Sequence, residues 1–203
     1  MSAIRASSLG RGFPEPVFDS QQSFRALLAA MSEPGTLQRL TAAIEPPAGL
    51  SQAATNVLLT LADQDTPIWF APSVDGPGAG YVRFHCGAPI TVSPEDARLA
   101  VIDGATPDAC LSAFDAGDDR YPDRSATVIV QCAQLTGGPA VSLSGPGIRG
   151  LRNISPSGLR AGFWEEIAAN NARYPMGVDL VLVAGADIMA LPRSTAALEQ
   201  ERR

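Results

Sequence analysis

The chain has 203 residues and a mass of 21.1 kDa; folding at that size buries roughly 70% of the unfolded surface, so a core forms without disulfides or metals. Hydrophobic residues make up 45% and charged residues 18%, which excludes disorder as a description of the whole. The net charge is −6, and all 15 basic residues are arginines; without lysine there is no internal Schiff base to pyridoxal phosphate, no Gly-Lys-Ser/Thr phosphate loop and no kinase-type lysine.

Residues 1–18 are rich in Gly, Pro and Ser, lack an apolar run able to serve as a signal-peptide core, and are expected to form a loosely packed arm. A helix is expected from Asp19 or Ser20, with Gln22 in capping-box position and Phe24, Leu27, Leu28 and Met31 as its apolar stripe. Ser32-Glu33-Pro34-Gly35 ends it, and a second amphipathic helix follows over about 50–62. Ile68-Trp69-Phe70 reads as a buried strand, and Tyr81 to Cys86 as an alternating one with Val82, Phe84 and Cys86 on one face. Ser93-Pro94 opens a helical turn, Leu99 to Ile102 is extended, and Thr106-Pro107 is expected to start a short helix toward Phe114.

An acidic loop, Asp115 to Asp123, leads into a strong strand, Ala126 to Cys132, with Ala140 to Ser144 as its expected hairpin partner across Thr136-Gly137-Gly138. Ser155-Pro156 is expected to open a helix reaching about Arg173, and Val178 to Val183 forms the last strong strand. The apolar stretch Val178 to Leu191 is interrupted by Asp179 and Asp187 and is too short to span a bilayer. Helices and strands alternate around an embedded hairpin, so the expected fold class is α/β: a single domain with a mixed central sheet flanked by helices. Its expected limits are an arm at 1–18, the domain at 19–195 and a tail at 196–203.

The chemistry-bearing residues are few. His85 is the only histidine, which excludes three-histidine zinc sites and His-Glu-x-x-His. It is either a hydrogen-bonded structural residue or a polar contact at a ligand or partner site, and strand geometry would turn Cys86 to the opposite face. Cys86, Cys110 and Cys132 match no disulfide framework or Cys-x-x-Cys site, so a soluble cytoplasmic protein with reduced thiols and no bound metal is expected. Gly145-Pro146-Gly147-Ile148-Arg149-Gly150 matches G-x-G-x-x-G, but Pro146 lacks an N–H and no helix follows at once, so it reads as a sharp turn. Arg149 and Arg152 on that loop either bind an anion or stay solvated. Arg193, beside Ser194 and Thr195, either holds a phosphate or caps the chain end. Asp115, Asp118, Asp119 and Asp123 fail the spacing of a calcium loop and read as solvated. The arginines are scattered, which argues against a nucleic-acid partner. His85, Arg149, Arg152 and Arg193 are thus ligand-binding or interface candidates, and no catalytic residue is identified.

Several segments in order resemble one family, PhnH, the H subunit of bacterial carbon–phosphorus lyase. They are Phe18-Asp19-Ser20-Gln21, Phe24-Arg25, Ala30 to Gly35, Leu58 to Trp69, Arg83 to Pro89, Ser125 to Gln131, Gly145 to Ile148, Tyr174 to Leu180 and Ala190 to Thr195. Tyr174 stands where the family pattern has Phe, and Ser194 where it has Thr. The resemblance implies a domain similar to the large domain of pyridoxal-phosphate-dependent transferases but without that cofactor, a homodimer when isolated, and an assembly with subunits G, I and J. It further implies a role in phosphonate catabolism, in which phosphonate displaces adenine from ATP to give a ribose 1-phosphonate 5-triphosphate; ATP would be a substrate of the complex. An assembly or substrate-organising subunit is the reading this favours. A stand-alone enzyme with His85 or an Asp as base, or a nucleotide or phosphate-binding module using arginines and His85, are the alternatives.

Overall fold

A computed structural model describes residues 10–74 and 76–199. The chain runs through α1 (Pro16–Ser32), β1 (Gln38–Arg39), α2 (Gln52–Leu61), β2 (Ile68–Phe70), α3 (Pro77–Cys86), β3 (Leu99–Asp103) and β4 (Thr127–Gln131). It continues through β5 (Val141–Ser144), β6 (Arg152–Ile154), α4 (Phe163–Asn171), β7 (Asp179–Ala184), β8 (Asp187–Leu191) and β9 (Ala196–Glu199). Six strands form one mixed sheet in the order β1-β8-β7-β4-β3-β2, and a smaller sheet has the order β6-β5-β9. Helices flank the large sheet, with α1 packed on α2, β8 and β1 and α2 also on β7, while α4 packs on β9 of the small sheet.

The central strands form where the sequence is apolar without alternation, because parallel strands covered on both faces bury every side chain. Val101 pairs with Ile129, which pairs with Val181, and all three are completely buried. β2, β3, β4 and β7 run parallel, so their carboxyl ends share one edge. β8 turns back antiparallel to β7 through Gly185, whose φ of +57° suits a residue without a Cβ.

Several expectations need correction. α1 starts at Pro16, three residues early, because proline fits the first helical position; Asp19 lies inside it and its carboxylate accepts the Glu15 N–H at 2.8 Å. The helix buries Ser23, Leu27 and Ala30, leaving Phe24 and Leu28 exposed, so the expected stripe is only partly the core face. Tyr81 to Cys86 is the end of α3, not a strand: Gly78, Tyr81 and Val82 are buried at helical spacing, and Gly87 closes the helix in the left-handed conformation. Thr106 to Phe114 holds only a 3-10 turn at Leu111–Ala113.

Ala140 to Ser144 does not pair with β4. It forms β5, between β6 and β9. The helix expected from Pro156 begins only at Phe163, since Ser157 first bridges to Gln134. Within the segment read as a tail, Ala196–Glu199 forms β9, and residues 16–18 of the expected arm belong to α1. Residues 1–9 and 200–203 lie outside the described residues.

Candidate functional site

The four candidate residues occupy separate places, and among the described residues no hydrogen bond or ion pair joins any two of them. His85 lies on α3 with its ring against Tyr81 at 4.3 Å and edge-on to Phe84 at 5.0 Å. Residues 10–13 cross over it: Tyr81 Oη donates to the Arg11 carbonyl at 2.9 Å, and a Cβ on Gly12 would sit 3.0 Å from His85 Nδ1. His85 Nε2 is buried and has no hydrogen-bond partner among the described residues. The imidazole therefore packs under the incoming chain with neither carboxylate nor nucleophile bonded to it. Because α3 is a helix, Cys86 is about 100° around from His85 rather than on an opposite face.

Arg152, in β6, donates from Nη1 to the Pro34 carbonyl at 2.5 Å, which ties the small sheet to the end of α1. Arg149 is exposed and without a partner among the described residues. Its loop is a turn that leads into β6: Gly145 and Gly147 have positive φ, and a Cβ on Gly147 would collide with the Ser32 carbonyl. Arg193 is fully engaged. Its Nε and Nη2 donate to Asp179 at 3.1 and 2.5 Å, its Nη1 to the Pro122 carbonyl, and its backbone N–H to Asp179 at 2.8 Å. In the acidic loop, Asp118 accepts the N–H groups of Arg120 and Tyr121 at 2.8 and 2.7 Å. No group of three or more His, Cys, Asp or Glu able to hold a metal occurs among the described residues.

The cysteines differ in reactivity. Burial pushes the Cys86 thiol up to about 11 and the Cys132 thiol up to about 12, so neither is a thiolate nucleophile near neutrality. Cys110 is exposed. Iodoacetamide at pH 7.5 is expected to alkylate Cys110 alone in the folded protein and all three cysteines in denaturant, read by peptide mass. Labelling of Cys132 in the folded state would contradict its burial.

The carboxyl edge of the parallel strands carries a feature that sequence reasoning missed. A cleft of about 320 Å³ lies beyond the ends of β4 and β7, lined by Leu37, Ala133 to Thr136, and the β7–β8 turn with Asp187. Its walls are held by backbone hydrogen bonds. The Ala133 N–H donates to Ser157 and the Ser157 N–H to Gln134, the Gly138 N–H to Ser155, the Ala53 N–H at the start of α2 to Gly185, and the Leu40 N–H to Ala186. Gly158 lets the first of these walls approach closely, since its Cβ would lie 2.6 Å from Ala133 Cβ. The residues converge from three segments about fifty to a hundred positions apart. The one local signal is the Ala184-Gly185-Ala186-Asp187 turn.

A family model described as bacterial phosphonate metabolism protein (PhnH) matches residues 11–197. The chain belongs to the PhnH family. It is 40% identical over 190 residues to the alpha-D-ribose 1-methylphosphonate 5-triphosphate synthase subunit PhnH of Rhizobium meliloti (strain 1021), covering 93% of this chain and 94% of that protein. It is 32% identical over 204 residues to the putative C-P lyase subunit protein HtxG of Stutzerimonas stutzeri, covering 96% and 93%. Both relatives are thus matched over nearly their full lengths. Among the described residues of this PhnH-family chain, no helix is long and apolar enough to cross a membrane.

Proposed function

We propose that this chain is a subunit of a carbon–phosphorus lyase machinery for phosphonate catabolism, with an assembly or substrate-organising role rather than turnover of its own. The observation that carries the reading is α1, whose outer face exposes four large apolar side chains beside Gln21, Gln22 and Arg25. Val17 is 78% exposed, Phe18 66%, Phe24 44% and Leu28 52%; Val17, Phe24 and Leu28 share one side of the helix, and grouped exposed apolar side chains mark protein interfaces. The inner face of the same helix buries Leu27 and Ala30 together with Ser23, whose hydroxyl donates to Asn56 Oδ1 at 3.4 Å. Names given to the relatives, a subunit of a ribose 1-methylphosphonate 5-triphosphate synthase and a putative C-P lyase subunit, support a chain that works among other subunits.

In this reading the partners are subunits G, I and J, with a homodimer forming when the chain is isolated. The complex uses ATP in the step where phosphonate displaces adenine to give the ribose 1-phosphonate 5-triphosphate. The subunit itself carries no cofactor, in keeping with the missing lysine, and works in the cytoplasm. In this reading its mixed sheet with flanking helices is similar to the large domain of pyridoxal-phosphate-dependent transferases. The stand-alone readings gain no support, since His85 lies under residues 10–13 and the Arg193 guanidinium is held by Asp179.

Phe18→Asp with Phe24→Asp tests the proposal. Aromatic anchors at interface centres each contribute about 2 kcal/mol or more, so the double variant is expected to lower affinity for the co-expressed partner subunits by at least ~100-fold. Its melting temperature should fall much less than its affinity, because Phe18 and Phe24 are 66% and 44% exposed and neither belongs to the buried core. Undiminished co-purification would remove α1 as the docking face, and with it the observation behind the reading.

A further inference from the structure

The outer face of α1 has a definite period. Val17, Gln21, Phe24, Leu28 and Met31 are separated by four, three, four and three residues, the spacing of a coiled-coil seam. Val17, Phe24 and Met31 stand at d positions, Gln21 and Leu28 at a positions. Met31 is half-buried and the other four are exposed. The seam is distinct from the face turned to the chain's own core, which carries Ser23, Leu27 and Ala30. From Val17 to Met31 it runs about 21 Å.

Hollows accompany the seam at both ends. A groove of about 460 Å³ is lined by Val17, Gln21 and Phe24 together with Thr60 of α2. A depression of about 520 Å³ is lined by Met31 together with Pro146, Tyr174 and Pro192. A helix is the element suited to lie there. It bonds its own backbone N–H and C=O groups, whereas a strand laid on α1 would find no ladder to pair with.

The polar residues on this face distinguish one occupant from another. Gln21 and Arg25 are exposed, and neither side chain has a hydrogen-bond or ion-pair partner among the described residues. In an antiparallel second copy of α1, a residues would meet d residues. Every d residue is apolar, so the Gln21 amide would be pressed against Val17, Phe24 or Met31 without a partner. In a parallel copy Gln21 would meet its counterpart, but Arg25 at an e position would face Ser20 at g and no carboxylate. Self-association leaves one polar group unmatched in either direction.

Taking α1 as the docking face, we infer that its occupant is a helix of about four turns from a different subunit. That helix carries its own apolar seam, a hydrogen-bonding side chain opposite Gln21, and a carboxylate within reach of Arg25.

The test places the photo-crosslinking residue p-benzoylphenylalanine at Val17, Phe24 or Leu28 of the full chain, co-expressed with the partner subunits. Crosslinks are expected to one segment of one other subunit, at residues three, four or seven positions apart. Arg25→Glu is expected to weaken partner affinity about tenfold, and Arg25→Lys to keep most of it, since a cation at the rim acts through its charge. Gln21→Leu is expected to weaken affinity severalfold, because the polar group facing it loses its match. Crosslinked partner residues at alternate positions or in scattered segments, or undiminished affinity for Arg25→Glu, would overturn the inference with α1 still the docking face. Crosslinks only to a second copy of this chain, or none from any position in an assembled complex, would overturn it together with the reading of α1 as the partner's site.

Discussion

Asp179→Ala is expected to destabilise the fold by about 3–5 kcal/mol, the usual cost of removing one member of a buried ion pair. Asp179 and Arg193 have side chains only 16% and 15% exposed, so the arginine left behind would keep its charge with little water to solvate it. The carboxylate also accepts the Arg193 backbone N–H, and the same guanidinium holds the Pro122 carbonyl. One substitution therefore loosens three segments: the start of β7, the chain after β8 and the 3-10 turn before β4. For a chain of this length about 2–4 °C of melting temperature goes with each kcal/mol, so a fall of roughly 6–20 °C is expected by calorimetry. Adding Arg193→Met should restore part of the loss, because the uncompensated charge goes with it. A fall under about 2 °C for Asp179→Ala would mean the pair contributes little.

Asn170→Ala should act on the same scale through hydrogen bonds instead of charge. Asn170 is 6% exposed at the end of α4. Its Nδ2 donates to the Val178 carbonyl at 2.9 Å, and its Oδ1 accepts the Val178 N–H at 2.8 Å. The side-chain amide thus does for Val178 what a neighbouring strand would do. Alanine leaves two buried backbone groups without partners, at about 1–3 kcal/mol each, so a loss of about 2–6 kcal/mol is expected from urea unfolding. Asn170→Asp keeps the acceptor and loses the donor, and should fall between alanine and the parent. Faster amide exchange at Val178 in both variants, with exchange at Ile129 little changed relative to global stability, would locate the effect; a loss below 1 kcal/mol for alanine would refute it.

The large sheet was legible because burial on both faces writes uninterrupted apolar runs, and Leu99 to Ile102, Val128 to Val130 and Leu180 to Val183 need no knowledge of partners. What escaped depended on partners or flanks. Six residues from Tyr81 to Cys86 satisfy a two-residue and a 3.6-residue period almost equally; the deciding signals, Pro77 before and Gly87 after, lie outside that window. β5 is too short to declare its partners, and finding β9 on one side of it required the chain end. On α1 the expected stripe held for Leu27 but not for Phe24 and Leu28, since periodicity identifies a stripe without saying which edge of it meets the core.

The candidate site was harder still. Arg193 was read with its neighbours Ser194 and Thr195, yet its carboxylate partner is fourteen positions earlier and comes into reach only when β8 folds back on β7. The family was legible because ordered short segments survive where roles do not. The cleft left almost no trace, as its polar groups are single residues on separate loops.

The margins of the large sheet bear on how copies or partners can meet it. β1 offers only two residues at one margin; at the other, the outer side of β2 is closed by Ile68 N–H donating to the Pro89 carbonyl and Thr91 N–H donating to the Ile68 carbonyl. Short or covered margins of this kind deprive an incoming strand of a template. Continuous sheets across subunits, and the runaway stacking that such continuity invites, are therefore blocked at both ends of this sheet. A partner meeting the large sheet at these margins would rely on side-chain contacts, which substitutions can tune one residue at a time.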